Sequence, residues 1–398
     1  MGLFDIFGNK KSEALAEEER QQAMEAQKEQ ALEELKKAHE DLKWPVIGRL
    51  NPVNIKGAED AVVKETVSDE RKEEVGASVY QEDISPDALK DYSSQELLFL
   101  LTALEVYHKH SELPGFEKNH RKVYNELLDR IRNAQYLYVL YDMNTGYPFI
   151  DHGFACVYFE KELAEEVAEL FARQYRKLSV RQCLVEDREN PQKIGFFDFL
   201  YYVGIENLII DNGAYRARFK RNEIVAAPGD WGDDKKRMPS NPALNYAMMD
   251  SIAERKWPVQ YEKRDEVIKA KEMRMFTLMR NARYIVPMKH EGPAEVLEDG
   301  RIKIDKNSKI EFLILKAPDG KQFLPVYTDG FEFAKVNKGK EWNAGVFRFQ
   351  DLIRFAGDRD GVTFNPEGHR IIMSKQQMMV IEAAAQQADA LKAAAAKK

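Results

Sequence analysis

Only two cysteines, Cys156 and Cys183, occur in 398 residues. Two thiols can neither staple a disulfide framework nor complete a four-thiolate zinc site, and they fit a reducing compartment. No apolar run approaches the roughly 18–20 residues that cross a bilayer, so no membrane-spanning helix is expected. No charged-then-apolar leader with a small-residue cleavage site is visible, so no secretory signal is expected either. A basic excess is also missing. The chain has 67 acidic against 60 basic residues and a net charge of −7, which argues against a general nucleic-acid binder. Gly-rich phosphate loops, a Gly-x-Ser-x-Gly elbow, His-Glu-x-x-His and paired Cys-x-x-Cys are all absent. We therefore expect no metal and no cofactor, and assign no catalytic residue.

What is present is enough apolar material for real cores: 44% of residues are hydrophobic and 32% charged. At roughly 150 residues per domain, the length suggests two or three domains. Residues 1–43 read as a polar N-terminal helix. Its stretch from Lys11 to Lys43 is rich in Glu, Ala, Lys and Gln and free of Pro and Gly, with Ser12 as N-cap and Trp44-Pro45 as stop. Residues 44–85 read as a linker, mobile in places, with Asn51-Pro52, Gly57, Gly76 and a charged run over 69–74. Residues 86–235 form a first α+β unit. Helical spacing runs through Leu97, Leu101 and Leu104, then through Val123, Leu127 and Ile131. Strands follow at Tyr136–Tyr141 and Phe154–Phe159, with an amphipathic helix over Glu160–Arg176 and a short helix over Gly195–Tyr202. Leu208–Ile210 and Tyr215–Arg221 are two strands turned by Asn212-Gly213.

Residues 240–382 repeat this plan. Arg280-Asn281-Ala282-Arg283-Tyr284 answers Arg132-Asn133-Ala134-Gln135-Tyr136, Gln322–Tyr327 answers Phe154–Phe159, Phe347–Phe355 answers Phe196–Tyr202, and Val362–Pro366 answers Leu208–Asn212. A tandem duplication of one α+β unit follows, each copy with a sheet of four or five strands and helices on one face. Tyr136, Val139, Val157, Ile209, Ile285, Leu313, Val326 and Phe364 are the expected sheet core. Residues 383–398 read as an Ala- and Lys-rich solvated tail.

The stretch Asn281–Ile381 resembles the N-terminal domain of the bacterial enhanced serine sensitivity protein SseB family. The features are Arg283-Tyr284-Ile285-Val286-Pro287, the strand Phe312–Leu315, the Asp319-Gly320 hairpin, Leu324-Pro325-Val326-Tyr327-Thr328-Asp329, and the strand Val362–Pro366 ending in Asn-Pro. The first copy has Ala155-Cys156-Val157-Tyr158-Phe159 in place of the Leu-Pro-aromatic-Thr pattern, and Asn212-Gly213 stands for Asn-Pro, so it is a diverged relative. The resemblance implies a cytoplasmic α+β domain without an established catalytic residue set.

His108 and His110 are two apart on a helix end, which suits solvation rather than a metal pair. Asp151-His152 sits in a hairpin, where neighbours usually point apart, and reads as a loop. Cys156 reads as strand core. Cys183, near Arg176 and Arg181, is weighed as a reactive thiol against a structural one. Alternation over Tyr215–Arg221 puts Arg216, Arg218 and Lys220 on one face, open to an anionic partner or to solvent. With Tyr327, Thr328, Asp329 and Asn365 they form the candidate interaction surface. Leu3, Phe4, Ile6 and Phe7, before Lys10-Lys11, offer weak membrane contact. The expected function is a non-catalytic cytoplasmic binding or scaffold protein with a protein partner. The alternatives are an enzyme with a site in the cleft between the two copies, or a peripheral membrane regulator.

Overall fold

A computed structural model describes residues 3–46, 64–186, 194–211, 215–227, 238–297, 302–304, 308–339 and 341–395. Two units are distinguished. The first takes residues 1–48, 64–130 and 214–217, and the second 49–63, 131–213 and 218–398. Among the described helices, none is long and apolar enough to cross a membrane.

The first unit is helical. Helix α1 (Leu3–Ala38) starts before Ser12 and ends before Trp44-Pro45. It stops where His39 turns inward: the imidazole is 3% exposed, its edge meets the Tyr107 ring at 5.1 Å, and Nδ1 lies 3.3 Å from the Tyr80 hydroxyl. The side chains of Leu3, Phe4, Ile6 and Phe7 lie outside the described residues. The linker expected over 44–85 is not one where it is described. Residues 64–85 form α2 (Asp69–Gly76) and a 3-10 turn (Ala77–Tyr80), and Val67, Val75, Val79 and Ile84 are buried. Cations of the charged run over 69–74 pair with carboxylates outside it. Arg71 meets Glu96 at 2.7 Å, and the buried Lys72 meets Glu65 at 3.0 Å. Trp44 stacks on Tyr107 at 4.8 Å, and a Cβ at Gly76 would strike its ring at 2.5 Å. Helices α3 (Pro86–Asp91), α4 (Ser94–His110) and α5 (Phe116–Asn133) complete the core. Ser93 and Glu96 close a capping box on α4.

The second unit holds a seven-stranded sheet, a three-stranded and a four-stranded sheet linked by one bridge, and a two-stranded hairpin. The first contains β1 (Tyr136–Asp142), β2 (Tyr147–Pro148), β3 (Ile150–Asp151), β4 (Phe154–Tyr158), β5 (Leu178–Leu184), β6 (Asn207–Ile210) and β7 (Ala217–Lys220). Helix α6 (Lys161–Ala172) links β4 to β5, α7 (Phe196–Tyr202) links β5 to β6, and α8 (Arg221–Ile224) follows β7. Then come α9 (Pro242–Lys256), α10 (Arg264–Asn281), β8 (Arg283–Glu291), a hairpin of β9 (Ala294–Val296) and β10 (Ile302–Ile304), β11 (Lys309–Phe312), β12 (Leu315–Lys316), β13 (Gln322–Val326), α11 (Gly330–Val336), β14 (Asn343–Arg348), α12 (Phe349–Ala356), β15 (Gly361–Phe364), β16 (Ile371–Ser374) and α13 (Lys375–Ala395).

Some strand pairings recur between the seven-stranded sheet and the bridged pair of smaller sheets. In the first, β1 is antiparallel to both β5 and β4, β4 is parallel to β6, and β7 lies beside β6. In the second, β8 is antiparallel to β14 and bridges antiparallel to the end of β13 through Ile285 and Tyr327, β13 is parallel to β15, and β15 is antiparallel to β16. Register makes the match residue by residue. Asp211 and Asn365 each follow the strand parallel to its partner, each is fully buried, and each has a positive φ (53° and 44°). The Asp211 amide donates to Val157 O at 2.8 Å and the Asn365 amide to Val326 O at 2.9 Å. Each side-chain Oδ1 then accepts a backbone N–H, Phe159 N at 3.3 Å and Thr328 N at 3.0 Å. Asp211, not Asn212, therefore has the strand-end geometry of Asn365. Tyr158 opposes Tyr138 across β1, and Tyr327 opposes Ile285 across β8.

Other boundaries move for local reasons. Phe347 ends β14, and α12 begins only at Phe349. Phe312–Leu315 is split between β11 and β12. The helices are not all on one face. Alternation along β8 sends Tyr284 and Val286 toward α10 and α12, and Ile285 toward Tyr327 and Phe333 of α11. Tyr136, at the start of β1, is exposed. The backbone of the expected tail stays helical to Ala395, and Glu382 is held by Arg280 at 3.3 Å and Gln350 at 2.9 Å.

Candidate functional site

The loop between β13 and α11 faces the turn between β15 and β16, and both close on polar groups. Asp329 caps α11, its Oδ1 accepting the Glu332 amide at 2.9 Å. Its Oδ2 accepts the Thr328 hydroxyl at 2.9 Å and Asn245 Nδ2 of α9 at 2.8 Å. Asn365 Nδ2 donates to Thr328 Oγ1 at 2.9 Å and lies 3.0 Å from His369 Nε2. Asn245 Oδ1 reaches the same imidazole nitrogen at 3.1 Å, and Asn245 Nδ2 also donates to Tyr202 O at 2.7 Å. The side chains of Asn245, Thr328, Asp329, Asn365 and His369 are at most 1% exposed.

One turn further along α11, the cluster crosses to the first sheet. Tyr147 of β2 donates its hydroxyl to Glu332, and Lys335 Nζ donates to the Tyr147 oxygen at 2.9 Å and to Glu332 Oε1 at 2.7 Å. The backbone N–H of His369 also reaches that phenol oxygen. The Tyr147 ring meets the imidazole edge-on at 4.7 Å. Gly368 permits this approach. A Cβ there would sit 2.4 Å from Glu332 Oε2 and 2.5 Å from the Tyr147 hydroxyl. Burial, reinforced by the Glu332 carboxylate, pushes the Tyr147 phenol well up. Burial also raises the Glu332 carboxyl, although Lys335 opposes the shift. Burial, then the nearby Lys335 charge, takes His369 down to about 3, so its imidazole is neutral. Glu332 Oε2 and His369 Nδ1 have no hydrogen-bond partner.

Beside this tie lies an open groove of about 600 Å³. Its sheet side carries Tyr141 of β1 and Arg181 and Cys183 of β5. Its helical side carries Phe196 and Phe199 of α7 and Phe331 and Lys335 of α11. Phe199 lies 5.4 Å from Phe331 and stacks over Tyr147 at 6.1 Å. Arg181 stands 4.2 Å over the Tyr141 ring.

Matched against family models, residues 263–378 fit the SseB protein N-terminal domain. That match lies in the second half of the chain. Comparison with curated proteins and with solved structures gave no match. The SseB domain supplies Thr328, Asp329, Glu332, Lys335, Asn365 and His369, while Tyr147 and Asn245 come from outside it.

Of the residues singled out in the sequence, Thr328, Asp329 and Asn365 meet in the cluster. Tyr327 turns the other way, packing on Phe333 at 5.6 Å with its hydroxyl buried and unpartnered. Arg216, Arg218 and Lys220 are exposed on alternate positions, as the pattern requires. Arg218 stands 5.3 Å over the Phe154 ring. Asp151 and His152 do pair, at 2.9 Å, on an exposed turn where His152 has φ 47°. His108 is used locally: Nδ1 accepts the Leu113 amide at 3.2 Å and the ring stacks on Phe116. Cys156 is fully buried. Burial raises the Cys183 thiol, the opposite of what a reactive thiolate needs. Among the described residues, no group of three His, Cys, Asp or Glu side chains could hold a metal ion. Sequence reasoning missed Tyr147, Asn245, Glu332, Lys335 and His369. The one local signal was the spacing of Glu332 and Lys335, three and six residues after the cap Asp329, which puts all three on one side of α11.

Proposed function

We propose that this chain is a non-catalytic cytoplasmic binding or scaffold protein, and that its binding surface is the groove beside the Tyr147–Glu332–Lys335 tie. Two copies of one α+β module, residues 131–227 and 283–378, build that surface, and the matching registers around Asp211 and Asn365 support the duplication. One observation carries the functional reading. The groove is lined by aromatic rings, while Tyr147, Glu332 and Lys335 beside it are bonded to one another. Such a lining rewards apolar contact and holds few free acid–base groups.

The protein purified from its own cells in mild salt and weighed by native mass spectrometry tests this. Wild type should carry a bound species that Phe199→Glu lacks, with far-UV circular dichroism unchanged. A bare wild type, or the same adduct on the variant, would overturn the reading. A second reading, an enzyme, is favoured by the raised Glu332 carboxyl with its unpartnered Oε2. In that case the bound species would be recovered chemically altered, and Glu332→Gln would return it unchanged.

A further inference from the structure

We infer that the groove takes a small organic acid, a single carboxylate on an aromatic or branched apolar body. This rests on the binding reading above and adds the chemistry of the occupant. The apolar half of the argument is the lining. Phe196, Phe199 and Phe331 offer ring faces and edges, and a space of about 600 Å³ lies within the roughly 300–1,000 Å³ of small-molecule sites. The charged half is Arg181. Its guanidinium lies 4.2 Å over the Tyr141 ring, a contact with the π face, and no side-chain acceptor among the described residues takes up its N–H fork. Among the described residues no carboxylate lies within ion-pair distance of Arg181, whereas Lys335, the other cation of the groove, is already balanced by Glu332 at 2.7 Å. A planar fork of N–H donors matches a carboxylate in two parallel bonds. One cation without a counter-ion among the described residues suits one negative charge. A phosphate dianion would bring a second charge into a lining that also contains Glu367.

Cys183 makes the site readable. Its sulfur lies in the lining, 3.8 Å from the Tyr141 hydroxyl, so an occupant over Arg181 shields it from alkylation. The experiment uses the full chain. 3-Phenylpropionate, its neutral amide, and the peptide Gly-Gly-Phe as free acid and as amide are titrated by saturation-transfer NMR, with iodoacetamide labelling of Cys183 as a second readout. The acid should bind, slow Cys183 labelling, and bind at least about tenfold more tightly than its amide. Arg181→Met should remove about tenfold or more of that affinity, and Arg181→Lys should restore part of it. Equal binding of acid and amide, or an unchanged Arg181→Met, would overturn the carboxylate assignment. So would absence of binding by every probe. If the adduct lost in Phe199→Glu persists in that case, only the ligand class falls and the binding reading stands. A free-acid peptide that binds about tenfold more tightly than 3-phenylpropionate would make the occupant a chain end, and would overturn the small-molecule assignment.

Discussion

Replacing Tyr147 by Phe removes one oxygen and keeps the ring, so it isolates the tie between the two sheets. The ring would still meet His369 edge-on and stack over Phe199. Without the hydroxyl, Glu332 loses a donor and the His369 N–H loses its acceptor, while the Lys335–Glu332 pair at 2.7 Å survives. A buried group left unsatisfied costs about 1–3 kcal/mol, more where charge is involved. The surviving ion pair holds the sum near the middle of that scale, and we expect about 2–3 kcal/mol. A single unfolding midpoint does not suit a chain of two units. Hydrogen exchange by mass spectrometry on the full chain does, because it reads each element separately. Peptides covering α11 and the β15–β16 turn should exchange roughly 30- to 150-fold faster at one pH, about tenfold for each 1.36 kcal/mol. Peptides of α4, in the other unit, should not change. Acceleration below about threefold, under 1 kcal/mol, would show that the phenol is not what holds α11, and equal acceleration in α4 would show that the effect is global.

His369 is held neutral, with its folded value near 3 against an ordinary 6.5, so the unfolded chain binds the extra proton between those limits. Stability of the second unit should fall as pH drops through that window, by about 1.4 kcal/mol per unit, and exchange of His369→Gln should lose that slope. Glu332 has the opposite sign: its folded value is raised, so its contribution is lost as pH rises above the ordinary carboxyl range, and Glu332→Gln should flatten that limb. Gly368→Ala drives a methyl into Glu332 and Tyr147, and about 1–3 kcal/mol of destabilisation is expected by exchange; a neutral Gly368→Ala would contradict the close approach. Cys183 in the native protein should react with iodoacetamide at pH 7 at least about tenfold more slowly than in urea, and rapid labelling would contradict a thiol raised by burial.

Much of this fold was readable from periodicity. Strand patterns at Tyr136, Phe154, Leu208 and Val362 predict elements that the structure places within a residue or two, because strands buried on their faces announce themselves by composition. The segment 64–85 was not readable. Its apolar residues are sparse, and nothing local shows that Arg71 meets Glu96 of α4 or that Lys72 meets Glu65. The same holds at the site. Asp329 and Thr328 are visible as a helix start, and Asn365 as a strand end. Tyr147 and Asn245 enter from 185 residues before Glu332 and 124 before His369. No local pattern encodes a hydrogen bond across that distance.

Asn245 has a practical consequence for anyone who cuts this chain. With Asn241, whose side-chain amide donates to Arg283 O at 2.8 Å and also reaches Thr328 O, it plugs four carbonyl and carboxylate oxygens and one imidazole from a helix that precedes the recognisable domain. A fragment beginning at residue 263 would keep every strand of the second sheet yet open its polar interior to water. The boundary that sequence comparison draws is therefore not the boundary of cooperative folding. A transplant of this module into another protein has to bring α9 and the β2 turn with it.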